Sequence, residues 1–302
     1  MKDIFRLVAV SIVPLLKRCL AFISYLIFIF TFGKLKIYKY DELEKWRTLN
    51  RVCFYKTLYF NLRSLSLKEA LRFPILIYTN TAIISSVGKI KFNVPAINFG
   101  MIKWGLFNSF RSQGKTLINN KGTIIFNGKG VFLMGSDVSV FNDAILHFGN
   151  EFFIGENVKI YAQKKIVFDD YVRVSYQCDI CDSDFHYVID INSGIVGCKN
   201  RDIYIGAYNW IGNKTTIKKG TKTPHHTMVA SSYSVLSKDY TKTVGPYSVL
   251  GGCPAKVIKS NVSRVWYNEQ NTIKRFDVMI QECGHLEMSK EDVKKLVEDE
   301  GC

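Results

Sequence analysis

Between residues 205 and 229 every sixth position carries a side chain suited to a narrow interior: Ile205, Ile211, Ile217, Thr223 and Val229. Gly206 and Gly212 directly follow two of these, and Thr215, Thr221 and Thr227 hold the fifth place of their hexads. Alternating strands of a β-sandwich repeat every two residues, and six is a multiple of two, so the glycine and threonine places carry the discrimination. They fit a triangular coil whose faces are short strands, with the aliphatic side chain pointing inward and a small residue letting each corner close. The rhythm also holds at Ile154-Gly155 and Ile160, and again at Phe168, Val174 and Ile180 after a displacement of two residues. That displacement predicts a two-residue insertion between Ile160 and Phe168. Farther upstream only Ile118 and Ile124 keep the spacing.

The ends of the chain follow other patterns. Leu7 to Leu16 and Cys19 to Gly33 are apolar blocks separated by Lys17 and Arg18 and followed by Lys34 and Lys36. The second block would form a helix of about 22 Å, against a hydrocarbon core of about 30 Å. A span using both blocks would bury Lys17 and Arg18 near the bilayer centre, at roughly 2.5 to 3.5 kcal/mol each. A monotopic or re-entrant anchor with its basic residues at the headgroups fits better, and a helical hairpin buried on the rest of the protein is the alternative. A secretory signal is disfavoured because no small-x-small site ends the first block. The stretch from Ser64 to Pro74 reads as a short helix stopped by the proline. After Lys259 the rhythm is lost, and Ser289-Lys-Glu-Asp292 resembles a capping box opening a helix that could cap the coil or pack on a neighbouring subunit. Three regions result: a helical, membrane-associating 1–80, a β-helix domain 81–259, and a helical tail 260–302.

The 41 Lys and Arg against 26 Asp and Glu give +15, which favours anionic partners without choosing among phosphorylated cofactors, lipid headgroups and nucleic acid. Nucleic-acid binding would account for the charge and leave the repeats unexplained. The eight cysteines lack the dense spacing of a secreted disulfide scaffold, so a reducing cytoplasm is the simpler setting. Cys178 and Cys181 form a CxxC with no second CxxC, which reads as a small core residue beside a neighbour rather than a metal site.

Four segments carry a family resemblance: Asp182-Ser-Asp-Phe-His186, Asn209-Trp-Ile-Gly212, Ser234-Val-Leu-Ser-Lys-Asp239 and Val249-Leu-Gly-Gly-Cys-Pro-Ala-Lys-Val-Ile-Lys259. From Ile118 to Lys259 the chain resembles the hexapeptide-repeat acyltransferases of the isoleucine-patch type, which include sugar O-acetyltransferases of polysaccharide assembly. The resemblance implies a left-handed parallel β-helix, a homotrimer, and acetyl-CoA as co-substrate with no metal. It makes His186 the general base: a sugar hydroxyl is a poor nucleophile, and an imidazole can take its proton as the oxygen attacks the thioester. Asp184, or Asp182, would orient the imidazole through its second nitrogen, and both equally read as loop-capping residues. The loop from Tyr187 to Arg201, with Gly194 and Gly197, would leave the coil, reach a neighbouring subunit and help form the acceptor pocket. Trp210 resembles the tryptophan lining the acyl-donor tunnel. Lys238, Lys256 and Lys259 match positions that hold CoA phosphates, with Ser232 and Ser237 as further contacts; each lysine taken alone reads equally as a solvated surface residue.

The sequence departs from the family pattern in three places. Cys253 stands where the family has Asn, one extra residue or a bulge falls near Tyr233, and His225-His226 replaces the usual corner. Paired histidines invite comparison with zinc-dependent carbonic anhydrases of the same fold, but adjacent strand residues point to opposite sides. The implied activity is acetyl transfer from acetyl-CoA to a sugar hydroxyl in surface-polysaccharide assembly. It would take place in the cytoplasm at the inner face of the membrane. N-acetylation of an amino sugar, or a noncatalytic membrane-bound β-helix scaffold, are the alternatives.

Overall fold

The computed structural model describes residues 51–107, 114–266, 269–283 and 285–297. The apolar blocks before Gly33 lie outside these residues. Among the described residues no helix is long and apolar enough to cross a membrane.

The chain winds as a left-handed parallel β-helix, in which strands that follow one another in sequence belong to successive faces. The first face begins at Ile75–Ile77 and climbs through Ile102–Leu106, Gly130–Leu133, Phe152–Ile154, Arg173–Val174, Trp210–Ile211 and Met228–Val229 to Ser248–Gly251. The second runs from Thr81–Ser86 to Val235–Leu236 and the third from Lys89–Phe92 to Lys222–Thr223. Lys256–Ser260 closes the first face by pairing antiparallel with Ser248–Gly251.

Strand register stacks like positions into columns, and the expected inward residues are all buried there. On the second face Ile118, Val138, Ile160, Ile180, Ile217 and Leu236 lie in one column. On the third the column is Phe92, Phe126, Phe148, Phe168, Ile205 and Thr223. The predicted two-residue insertion between Ile160 and Phe168 falls at the corner joining these faces. Lower turns carry similar insertions there, eight residues from Ile118 to Phe126 and ten from Val138 to Phe148. Longer corners widen the coil, and phenylalanine fills the extra width: Phe148 stacks on Phe168 at 5.1 Å and 4°. The upstream turns therefore keep the architecture while losing the hexad spacing; Ile118 and Ile124 are both buried, but Ile124 pairs with Leu146, two positions before the Phe126 column, so their six-residue spacing does not join equivalent places.

The corners show why threonine and glycine recur. The buried hydroxyls of Thr215, Thr221 and Thr227 donate to the carbonyls of Gly212, Lys218 and Pro224 at 2.7, 2.7 and 2.9 Å, pairing oxygens that the turning chain cannot place in a ladder. At Gly212 a Cβ would lie 2.5 Å from the Val229 carbonyl oxygen of the next turn. At the corner between third and first faces, Tyr171, Tyr208, His226 and Tyr247 all adopt positive φ, a conformation bulky residues seldom take. Their rings stack up the corner at 4.6–4.7 Å between neighbours, which offsets the strain. His225 and His226 thus sit in a corner and not on a strand. The expectation that they point apart fails: their Nδ1 atoms lie 2.9 Å from each other.

Both coil ends are closed. Helix α1 (Phe54–Ser64) covers the first turn, its Phe60 meeting Trp104 edge-on at 6.0 Å. Asn61 and Thr57 accept from the backbone N–H of Ile75 and Ile77, and Asn61 also donates to the Ile75 carbonyl, standing in for a missing strand along this edge. The helix expected between Ser64 and Pro74 is shorter, α2 (Leu67–Ala70), because Ser66 forms its own capping box with Glu69. At the other end buried Tyr240 donates to the Ala255 carbonyl at 3.2 Å. The tail holds α3 (Glu269–Cys283) and α4 (Lys290–Val297); the Ser289 hydroxyl accepts from the Asp292 N–H at 3.1 Å, and the Trp266 N–H reaches the Leu296 carbonyl.

Candidate functional site

At the corner between second and third faces the chain leaves the coil after Asp179–Cys181 and returns at Ile203–Ile205. The excursion is an antiparallel arm bridged at Ser183–Asn200 and Ile189–Val196, with Gly194 at φ 70 near its tip. Three contacts fix its root. Asp182 is fully buried, and its carboxylate accepts the backbone N–H groups of Gln163, Lys164 and Lys165 at 2.7, 2.8 and 2.7 Å. The Ser183 hydroxyl meets Asn200 Oδ1 at 2.6 Å across the base. Lys219, one turn farther along, ties both strands: its Nζ lies 2.5 Å from Asp184 Oδ2 and donates to the Cys198 carbonyl at 2.6 Å.

His186 projects from this root, exposed to solvent and with no hydrogen bond to any described residue. Asp184 is engaged by Lys219, and no hydrogen bond joins it to His186; Asp182 serves as a cap for the preceding turn. Burial pushes the Asp182 carboxyl above the ordinary aspartate value, against the pull of its three N–H donors. Ser237 and Lys238 belong to this same corner two turns on, both exposed, with the Lys238 ammonium 5.3 Å from the Tyr240 ring. Beyond His186 the arm is apolar and bare: Tyr187, Val188, Ile189, Ile195 and Val196 are exposed and Ile191 is 93% exposed.

The other expected residues lie elsewhere. Trp210, 40% exposed, faces outward from the first face. Lys256 and Lys259 are exposed on the antiparallel strand of that face, and Lys259 pairs in register with Val249. Ser232 occupies the corner between first and second faces, where Ser232 and Tyr233 both take positive φ. The step from Val229 to Leu236 is seven residues there, the extra residue being the bulge read near Tyr233. The expected residues therefore fall into separate groups: His186, Asp184, Ser237 and Lys238 along one corner, Trp210, Lys256 and Lys259 on the first face, and Ser232 at the corner between first and second faces.

Sequence reasoning missed two features. Lys219 looked like one more lysine in a basic chain, since nothing local reveals that it binds the arm. The surroundings of Trp210 were missed as well: a cleft of about 730 Å³ lined by Lys103, Lys129, Glu151, Phe153, Arg173 and Arg264 among others. Stacking the repeats could have found part of it, because Lys103, Val131, Phe153, Arg173 and Trp210 each immediately precede a buried inward residue. Cys178 is interior: its thiol donates to the Gly212 carbonyl at 3.2 Å, and burial pushes its pKa up to about 11.

No family model matches the sequence, and no curated protein does. Solved structures do. The polySia-specific acetyltransferase NeuO aligns at 19% identity and a TM-score of 0.41, over 69% of this chain and 93% of that one. The polysialic acid O-acetyltransferase OatWY aligns at 21% and 0.38, over 66% and 96%. A mutant of AntD, an N-acyltransferase from Bacillus cereus, in complex with dTDP-4-amino-4,6-dideoxyglucose and coenzyme A, aligns at 12% and 0.38, over 69% and 88%.

Proposed function

We propose that the protein transfers an acetyl group from acetyl-CoA to a sugar hydroxyl, with His186 as general base. The observation that carries this reading is the placement of His186: an unengaged, exposed imidazole at the pinned root of an arm, at the end of the Asp182-Ser-Asp-Phe-His186 segment. His186 removes the proton as the acceptor oxygen attacks the thioester carbonyl; the C–S bond breaks, and CoA leaves as thiolate to be protonated from the imidazolium. Asp184 is a positioning residue, acting through Lys219 to hold the arm root. The ammonium groups of Lys238, Lys256 and Lys259 suit the phosphates of CoA, and the exposed indole of Trp210 suits the edge of its acyl channel. Because the His186 corner and the Trp210 face lie on different sides of the coil, a complete site needs a second copy. The apolar arm supports a homotrimer in which each His186 corner meets the Trp210 face of a neighbour.

Calorimetric titration with acetyl-CoA tests the donor half, with Lys256→Glu/Lys259→Glu as the weakened variant. Thiol release in the presence of sugar acceptors tests the base. His186→Ala should lower turnover by roughly 10² to 10⁴-fold with the circular dichroism unchanged. Unchanged turnover in a folded variant removes His186 from the mechanism, and a folded protein that fails to bind acetyl-CoA returns the β-helix to the role of scaffold.

A further inference from the structure

The cleft beside Trp210 has a charge pattern that the transfer reaction itself does not require. Its outward column on the first face is set by register: Lys103 pairs with Val131, Val131 with Phe153, Phe153 with Arg173, and Arg173 with Trp210. Four steps at about 4.8 Å make a track of roughly 19 Å, long enough for more than one sugar ring. Lys129 and Arg264 flank it, and Glu151 is the one acidic side chain in the lining. Lys129 is paired with Glu151 at 2.6 Å, and Arg173 donates to the Glu151 carbonyl. Arg264 lies over Trp210 at 5.0 Å and over Trp266 at 5.1 Å, held between two indoles. Lys103, at the far end, has no ion-pair partner among the described residues. The lining carries four cations against one anion, interleaved with the exposed parts of Val131, Phe153 and Trp210.

The geometry points to this track as an acceptor subsite for an acidic glycan, one whose successive rings carry carboxylates; this rests on the transferase reading. Cations at both ends of a roughly 19 Å track match charge repeated along a chain. A nucleotide sugar concentrates its negative charge in two adjacent phosphates and would leave one end unused. The aromatic and apolar surface between the cations suits the apolar faces of sugar rings. Trp210 ends the track on the side toward Lys259, so donor and acceptor would approach it from opposite directions.

The test is calorimetry on the full chain with four probes: a galacturonate hexamer, maltohexaose, UDP-glucose and a single-stranded DNA oligonucleotide. Each is titrated into wild type, Lys103→Glu, and Lys91→Glu, an equal charge change on the third face. The hexamer should bind wild type, lose at least about tenfold in affinity in Lys103→Glu, and change less than about twofold in Lys91→Glu. Maltohexaose should not bind. The assignment is overturned if Lys103→Glu binds the hexamer as tightly as wild type, if both lysine variants weaken it equally, or if maltohexaose binds as well. It is also overturned if only UDP-glucose or the oligonucleotide responds to Lys103. Acetyl-CoA titrated into the same samples separates the two readings. Acetyl-CoA binding without hexamer binding rejects the track alone, whereas failure to bind acetyl-CoA rejects the transferase.

Discussion

Replacing Asp182 by alanine tests whether one buried carboxylate holds the root of the arm. Three backbone N–H groups converge on it from the preceding turn, and its own carbonyl accepts from Arg201 where the arm returns. Alanine strands the three donors, and a buried donor left without a partner costs about 1–3 kcal/mol. Lys164 and Lys165 are exposed, so water reaches part of this corner and the lower end applies to them. The expected loss is about 3–5 kcal/mol, which in a chain of this size lowers Tm by about 5–9 °C. Asp182→Asn keeps one acceptor oxygen but turns an NH2 toward a donor, and should fall between wild type and alanine. Urea unfolding at fixed protein concentration measures the difference, since subunit assembly would make the midpoint concentration-dependent. A loss below about 1 kcal/mol for alanine would refute the claim that Asp182 organises this corner.

Other substitutions probe separate parts of the fold. Phe148→Ala opens the widest part of the coil beside Phe132, Phe152 and Phe168 and should cost about 3–5 kcal/mol in the same unfolding experiment. Gly212→Ala drives a Cβ into the backbone of Val229 and Ser231, and a loss of about 1–3 kcal/mol is expected. His147 lies on the third face with Nε2 enclosed and unpaired, and burial holds its pKa below the ordinary value. A base with a lowered folded pKa stabilises the fold above its unfolded pKa of about 6.5 and loses that contribution as pH falls through the interval below. Stability should therefore decline on acidification from about pH 6.5, and His147→Gln should flatten that part of the profile; an unchanged slope would exclude His147 as its source.

Much of this protein was legible because a β-helix repeats its local chemistry. Each turn repeats an inward position on every face, so the hexads at Ile205, Ile211 and Ile217 report the interior directly, and the threonines and glycines report corners that must close against the next turn. The excursion after His186 was visible as a loss of rhythm, and the bulge near Tyr233 as one residue too many. What stayed hidden depends on more than one turn at a time. Phenylalanines replace isoleucines in the lower turns because the corners there are longer, a compensation seen only when the columns are stacked. The pairing of Asp184 with Lys219 joins positions far apart in sequence, and Asp182 proved a turn cap because the chain of the preceding turn brings it three N–H groups. The cleft is likewise a product of register. Lys103, Arg173 and Trp210 are scattered along the chain, and only the parallel pairing of five strands sets them in one line. Periodicity alone determined the coil, and the resemblance carried by Asp182-Ser-Asp-Phe-His186 pointed to His186; the stacking of turns decided which charged side chains meet.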